Sequence, residues 1–213
     1  MERLCEIYRY MSIKNSEKIS EPIKKRVTEL LCLAKELSSF KYVYKKFDIL
    51  ASNETEIDLG DLKLKSQNLK KNLEGCNELI IFVATLGMEF EKKLQYFSKT
   101  NAYDALIFQA IGTELLEDFC DNLTQDVFLK GYPKQFGTKP RFSPGYGDLP
   151  LEFQREIFCI LKPEKSIGAY LTDSLMMVPS KTVSAIVGIT DTPKQTEHSC
   201  KTCVKTDCEF RKE

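Results

Sequence analysis

The spacing of apolar residues along the chain predicts its elements before any chemistry is considered. Ile7, Tyr8, Tyr10 and Met11 make a short apolar lead that docks on the body. Ile23, Val27, Leu30, Leu31, Ala34 and Leu37 then recur at helical spacing, so one face of a helix is buried. Ser20 stands at its cap position, and Pro22 is tolerated in its first turn. Residues 41–50 alternate aromatic or β-branched residues with lysines, the pattern of a half-exposed strand. Residues 57–59 read as a short second strand, and residues 66–73 as a short helix ending near Gly75. Residues 78–85 are continuously apolar and predict the central strand of a sheet. Thr85-Leu86-Gly87 leads directly into a helix over 89–97. Such a junction can hold an anion on helix N–H groups, but a single glycine reads first as a structural turn.

Residues 101–128 carry the longest helical pattern. Leu106, Ala110, Thr113, Leu116 and Phe119, with Leu123 and Val127 beyond, are expected to face the core. The same helix carries Glu114, Glu117, Asp118 and Asp121; of these, Glu117 lies beside the apolar stripe and can look inward. Gly131-Tyr132-Pro133 stops the helix, and a basic loop follows to Arg141. A further amphipathic helix covers 151–161, and 183–189 is strand-like, with small residues where another group can approach closely. Pro179-Ser180 suggests a hairpin. The sum is an α+β fold: a mostly antiparallel twisted sheet flanked by helices, in a single domain. It divides into a helical N-terminal segment (1–40), an α+β body (41–192) and a Cys-bearing C-terminal tail (193–213).

Composition narrows the function classes. The 31 basic and 31 acidic residues cancel, and no basic stripe marks a nucleic-acid surface. The longest apolar runs are too short to span a bilayer, and the N-terminus lacks the layout of a signal peptide. A cytoplasmic protein is expected. Of the eight cysteines, Cys5, Cys32, Cys76, Cys120 and Cys159 are scattered singly and read as small buried hydrophobes.

Two stretches concentrate chemistry. Arg141-Phe142-Ser143-Pro144-Gly145-Tyr146-Gly147-Asp148 combines backbone constraint with a guanidinium that can grip a carboxylate and a phenol with a flat face. It suits a small ligand with an anionic end and a flat end, and equally an ordinary turn between helices. His198, Cys200, Cys203 and Cys208 have a chelating spacing. They can hold zinc with the histidine, or an iron–sulfur cluster on the thiolates alone; the alternative is a tail with incidental thiols.

Arg141-x-x-Pro144-Gly145-Tyr146, Leu171-Thr172-Asp173-Ser174, Met177-x-Pro179 and Ser180-x-x-Val183-Ser184 resemble the reactivation domain of cobalamin-dependent methionine synthase. Leu116-Glu117-Asp118-Phe119 is similar to that family's helix bearing a glutamate near the ligand. Ile7-Tyr8-Arg9-Tyr10-Met11 and Ala84-Thr85-Leu86-Gly87 resemble its stand-alone relatives. The resemblance is specific over roughly residues 110–190 and looser before that.

The resemblance implies a component of a methyltransferase that has no nucleophile of its own. In the family, inactive Co(II) cobalamin is reduced and the methyl of S-adenosylmethionine traps the Co(I). By the same resemblance Arg141 would hold the methionine carboxylate, and the backbone at Ser143 and Gly145 would bond the ligand. Tyr146 would pack on the ligand or the corrin, and Glu117 would face its cationic end. The partners implied are a separate cobalamin-binding methionine synthase or corrinoid protein and an electron donor such as flavodoxin or ferredoxin. An alternative is a non-catalytic docking or electron-transfer subunit of a corrinoid methyltransferase that uses the Cys tail. Phe142 and Ser143 replace the family's Pro and Ala, and Asp173 shortens its Glu. The family's last strand and helix have no counterpart in this chain, nor does its N-terminal ligand-contacting aspartate.

Overall fold

The computed structural model describes residues 2–13, 19–52, 56–60 and 62–191. Helices α1 (Glu2–Tyr10) and α2 (Glu21–Leu37) precede strand β1 (Lys41–Asp48). A small sheet follows, formed by β2 (Ala51–Ser52), β3 (Glu56–Asp58) and β4 (Lys63–Lys65), then helix α3 (Gln67–Asn72) and strand β5 (Glu78–Thr85). Helices α4 (Met88–Thr100) and α5 (Ala102–Asn122) come next, and α5 runs on into a π-helical turn, Leu123–Val127. After β6 (Gly137–Thr138) come α6 (Gln154–Leu161), α7 (Pro163–Ser166), the hairpin β7 (Tyr170–Leu171) and β8 (Met177–Val178), and strand β9 (Thr182–Thr190).

The main sheet has the order β1-β5-β9-β6 and is antiparallel throughout. β5 lies between two neighbours, and all of its residues but Glu78 are buried, which is why its sequence is continuously apolar. Alternation splits the side chains of β5 and β9 between two cores. Ile80, Phe82, Ala84, Ala185, Val187 and Ile189 face one core with residues of α1, α2, α4 and α5. Leu79, Ile81, Val83 and Ile186 face the other, with Leu64 of β4, Leu69 of α3 and Ile157 and Phe158 of α6. The fold is α+β, as the sequence predicts. Among the described residues no helix is long and apolar enough to cross a membrane.

Several expectations need correction. Leu106 is exposed rather than core-facing. Helix α5 touches α1, α2 and α4 as well as the sheet, so Ile107, Phe108, Ile111 and Leu115 are buried alongside Ala110 and Leu116. No hairpin forms at Pro179-Ser180; the reversal lies within 172–176, where Thr172 N–H bonds Met176 C=O at 2.9 Å. Of the singly placed cysteines only Cys76 and Cys120 are buried, while Cys5, Cys32 and Cys159 are exposed. The small residue Gly188 admits core packing and no ligand, since an added Cβ would come 2.6 Å from Leu73 Cδ2 and from Cys76 Sγ.

Candidate ligand-binding site

Helix α5 supplies one wall of the site. Asn101 caps it, accepting from Tyr103 N–H at 3.1 Å and Asp104 N–H at 3.2 Å. Arg26 of α2 then grips Asp104 through two hydrogen bonds, 2.9 and 2.5 Å long. With its start held, α5 presents Thr113, Glu117 and Asp121 at successive four-residue steps, one above another on a single stripe.

The loop 141–148 supplies the facing wall. Phe142 exchanges backbone hydrogen bonds of 2.9 and 2.8 Å with Ile186, extending the sheet by one residue and turning the Phe142 side chain into the second core. Its predecessor Arg141 points the other way, towards α5. There one guanidinium nitrogen bonds Glu117 Oε2 at 2.5 Å and the other bonds Asp121. Burial opposes the charge on Arg141, but the carboxylates of Asp121 and Glu117 outweigh it, so the guanidinium stays charged. Tyr10 of α1 lies within electrostatic range of Glu117, and burial pushes its phenol up.

Beyond Phe142 the loop folds on itself. Gly145 N–H donates to Leu149 C=O at 2.9 Å and Tyr146 N–H to Ser143 C=O at 3.1 Å. The Gly145 N–H, expected to meet a ligand, is therefore already paired. Gly147 has a φ of 58°, and an added Cβ would stand 2.7 Å from Asn68 Nδ2, so glycine is favoured there. Asp148 ties this end of the loop to α3, accepting from the Ser66 hydroxyl, from Gln67 N–H at 2.7 Å and from Asn68 N–H at 3.2 Å. The bond from Ser66, with those backbone donors, holds the Asp148 carboxyl below its ordinary range. The loop is thus pinned at both ends, and Tyr146 stands between the pins, 70% exposed and edge-on to Phe142 at 5.5 Å.

Three groups were not singled out from sequence. Asp121 shares Arg141 with Glu117; its signal was the four-residue spacing. Lys181 is buried and donates to Thr113 Oγ1 at 2.7 Å. Its signal was the alternation of β9, which puts it in line with Ala185 and Val187. Glu91 of α4 accepts from Ser180 N–H at 2.8 Å and Ser180 Oγ at 2.5 Å, fixing the segment that carries Lys181. Cys120, under the site, is fully buried, and burial pushes its thiol up to about 12, so it stays protonated and is no nucleophile. The segment Leu171-Thr172-Asp173-Ser174 caps the β7–β8 hairpin, with Thr172 Oγ1 3.0 Å from Ser174 Oγ and Arg155 donating to Asp173 C=O at 3.0 Å.

The structure therefore brings Arg141 and Glu117 together, with Asp121 added, and packs Tyr146 against Phe142 rather than against that pair. The model of the vitamin B12 dependent methionine synthase activation domain matches residues 67–210. The chain belongs to this family. Among solved structures, the MetH reactivation domain bound to AdoHcy shares the fold, with a TM-score of 0.56 at 15% identity over 78% of this chain. The match covers 65% of that chain, so this chain spans a little under two thirds of its length. No curated protein matches. His198, Cys200, Cys203 and Cys208 lie outside the described residues. Among the described residues no group of His, Cys, Asp and Glu side chains is placed to hold a metal ion.

Proposed function

We propose that this activation domain binds S-adenosylmethionine on the Arg141 rim and presents it to cobalamin on a separate methionine synthase or corrinoid protein, with an electron donor supplying the reduction. The observation that carries the reading is the split grip of Arg141, one nitrogen on Glu117 and one on Asp121. An amino-acid end brings both a carboxylate and an ammonium. Its carboxylate can take a guanidinium nitrogen while its ammonium, or the neighbouring sulfonium, takes the carboxylate set free. Such an exchange keeps the half-buried guanidinium and both ends of the ligand paired, which a singly charged ligand cannot do.

When bound, S-adenosylmethionine supplies an electrophilic methyl group. The chain's own part is to place it. Arg141 orients the carboxylate end, Glu117 lies beside the positive charge, and the exposed face of Tyr146 covers the flat part of the ligand or meets the corrin. Pinning the loop through Phe142 and Asp148 holds these groups in place before the ligand arrives, and such positioning removes part of the entropic barrier.

Calorimetric titration with S-adenosylmethionine tests the reading. Binding is expected, and Arg141→Ala should weaken it by about 1.5–3 kcal/mol, roughly 10- to 150-fold. Absence of binding, with and without a cobalamin protein, overturns it.

A further inference from the structure

Lys181 is the charged group that this reading leaves unused. It is 7% exposed, and its stem crosses α5 at Gly112, where an added Cβ would lie 3.0 Å from Lys181 Cε. Its ammonium donates to Thr113 Oγ1 at 2.7 Å; the Thr113 hydroxyl gives its own hydrogen to Gln109 C=O at 3.1 Å. Among the described residues Thr113 is its one hydrogen-bond acceptor, so two N–H bonds of a buried ammonium are unspent. Two carboxylates face it at longer range, Glu91 from α4 and Glu117 from α5. Glu91 already accepts from Ser180 N–H, Ser180 Oγ and Gln95 Nε2, the last at 2.9 Å, and Glu117 is shared with Arg141. Burial lowers the Lys181 ammonium to about 8 even with both carboxylates helping to keep the proton.

We propose that Lys181 reads the charge of the ligand: it releases its proton to solvent when a sulfonium settles against Glu117, and keeps it when the ligand carries an uncharged thioether. This rests on the adenosylmethionine reading above. A cation beside Glu117 cancels an attraction that holds the Lys181 proton and adds repulsion of its own, and both effects favour the neutral amine. Methyl transfer turns the sulfonium into a thioether, and the proton returns from solvent. Substrate and product are then told apart by a proton as well as by contacts.

Titrating the whole chain at pH 7, in buffers of different ionisation enthalpy, counts the protons released. With S-adenosylmethionine, wild type should release roughly 0.2–0.4 proton more than Lys181→Met. With S-adenosylhomocysteine the two proteins should agree. Comparing the proteins for one ligand at a time cancels protons carried by the ligand's own amine. Equal release by wild type and variant with S-adenosylmethionine, or an equal difference with both ligands, overturns the proposal and leaves the binding reading intact. Failure of both ligands to bind overturns both. If Lys181→Met does not fold, carbon-13 NMR of the lysines in wild type decides the matter. Lys181 should titrate near 8 in the free chain and fall with S-adenosylmethionine alone; titration at the ordinary lysine value, or an equal response to both ligands, refutes the idea.

Discussion

Arg141 keeps its place because two carboxylates, four residues apart on α5, each hold one of its nitrogens. The two have different duties if the ligand exchanges with only one of them. Glu117 lies within range of Lys181 and Tyr10, towards the interior, whereas Asp121 is 58% exposed at the outer end. Glu117→Gln should therefore weaken S-adenosylmethionine binding by roughly 3- to 10-fold, the modest size set by solvent screening of a part-exposed carboxylate. It should change S-adenosylhomocysteine binding less, because that ligand has no sulfonium. Asp121→Asn should leave both affinities unchanged or tighter, since it frees a guanidinium nitrogen. Equal losses for the two ligands in Glu117→Gln would contradict the assignment. Arg141, Tyr146 and Glu117 were legible as candidates because each departs from its surroundings: a cation and a phenol in a glycine-rich turn, and a carboxylate beside an apolar stripe. Lys181 was hard to read despite the alternation of β9, since lysine is almost always exposed and its burial depends on a notch in a helix 69 positions earlier in the chain.

That notch belongs to the element scale. Gly112 sits inside α5, where alanine would ordinarily improve the helix by about 1 kcal/mol. An added Cβ would stand 2.4 Å from Phe90 Cζ, however, and Phe90 is fully buried and stacked on Phe108 at 4.4 Å. Overpacking costs about 1–3 kcal/mol, so Gly112→Ala should lower the melting temperature; a rise would show that the ring moves freely. The loop 141–148 depends on its anchors in the same way. Asp148→Ala should speed hydrogen exchange at Gln67 and Asn68, whose N–H groups it now accepts. Because the folded carboxyl is held below its ordinary range, the anchor is fully present above the ordinary aspartate value and is lost as pH falls through the lowered one. The protection of those two amides, relative to their intrinsic exchange rates, should thus fall selectively in acid for wild type and not for the variant. Elements with one clear pattern, the unbroken apolar run of β5 and the helical period of α2, were legible at this scale. Strands β2 and β4 were not, being too short to show a period, and the stripe on α5 was misplaced at Leu106 because a helix covered on several sides has no single apolar face.

For the whole molecule, the decisive fact is that the N-terminal helices and the sheet share one core. The family match begins at residue 67, yet Ile7 of α1 and Val27, Leu30 and Ala34 of α2 are all within 2% of complete burial. They cluster with Phe82 and Ala84 of β5, Ala185 and Val187 of β9, and Ile107, Phe108 and Ile111 of α5. Arg26 adds a polar tie to Asp104, whose side chain is 4% exposed. Removing residues 1–40 would strip one side of α5, the helix that carries Thr113, Glu117 and Asp121. Burying a large aliphatic side chain is worth about 1.5–3 kcal/mol, so Ile7, Val27 and Leu30 alone represent roughly 5–9 kcal/mol. That is comparable with the whole stability of an ordinary domain, about 5–15 kcal/mol. A chain beginning at Lys41 should therefore bind a hydrophobic dye, unfold without a cooperative transition and lose any ligand affinity of the full chain. Asp104→Ala in the full chain should cost only about 1–3 kcal/mol, because Arg26 is left 41% exposed and finds water. Should the shortened chain melt cooperatively at the temperature of the full one, α1 and α2 would be an appendage, and the position of Glu117 would have to be explained by α4 and the sheet.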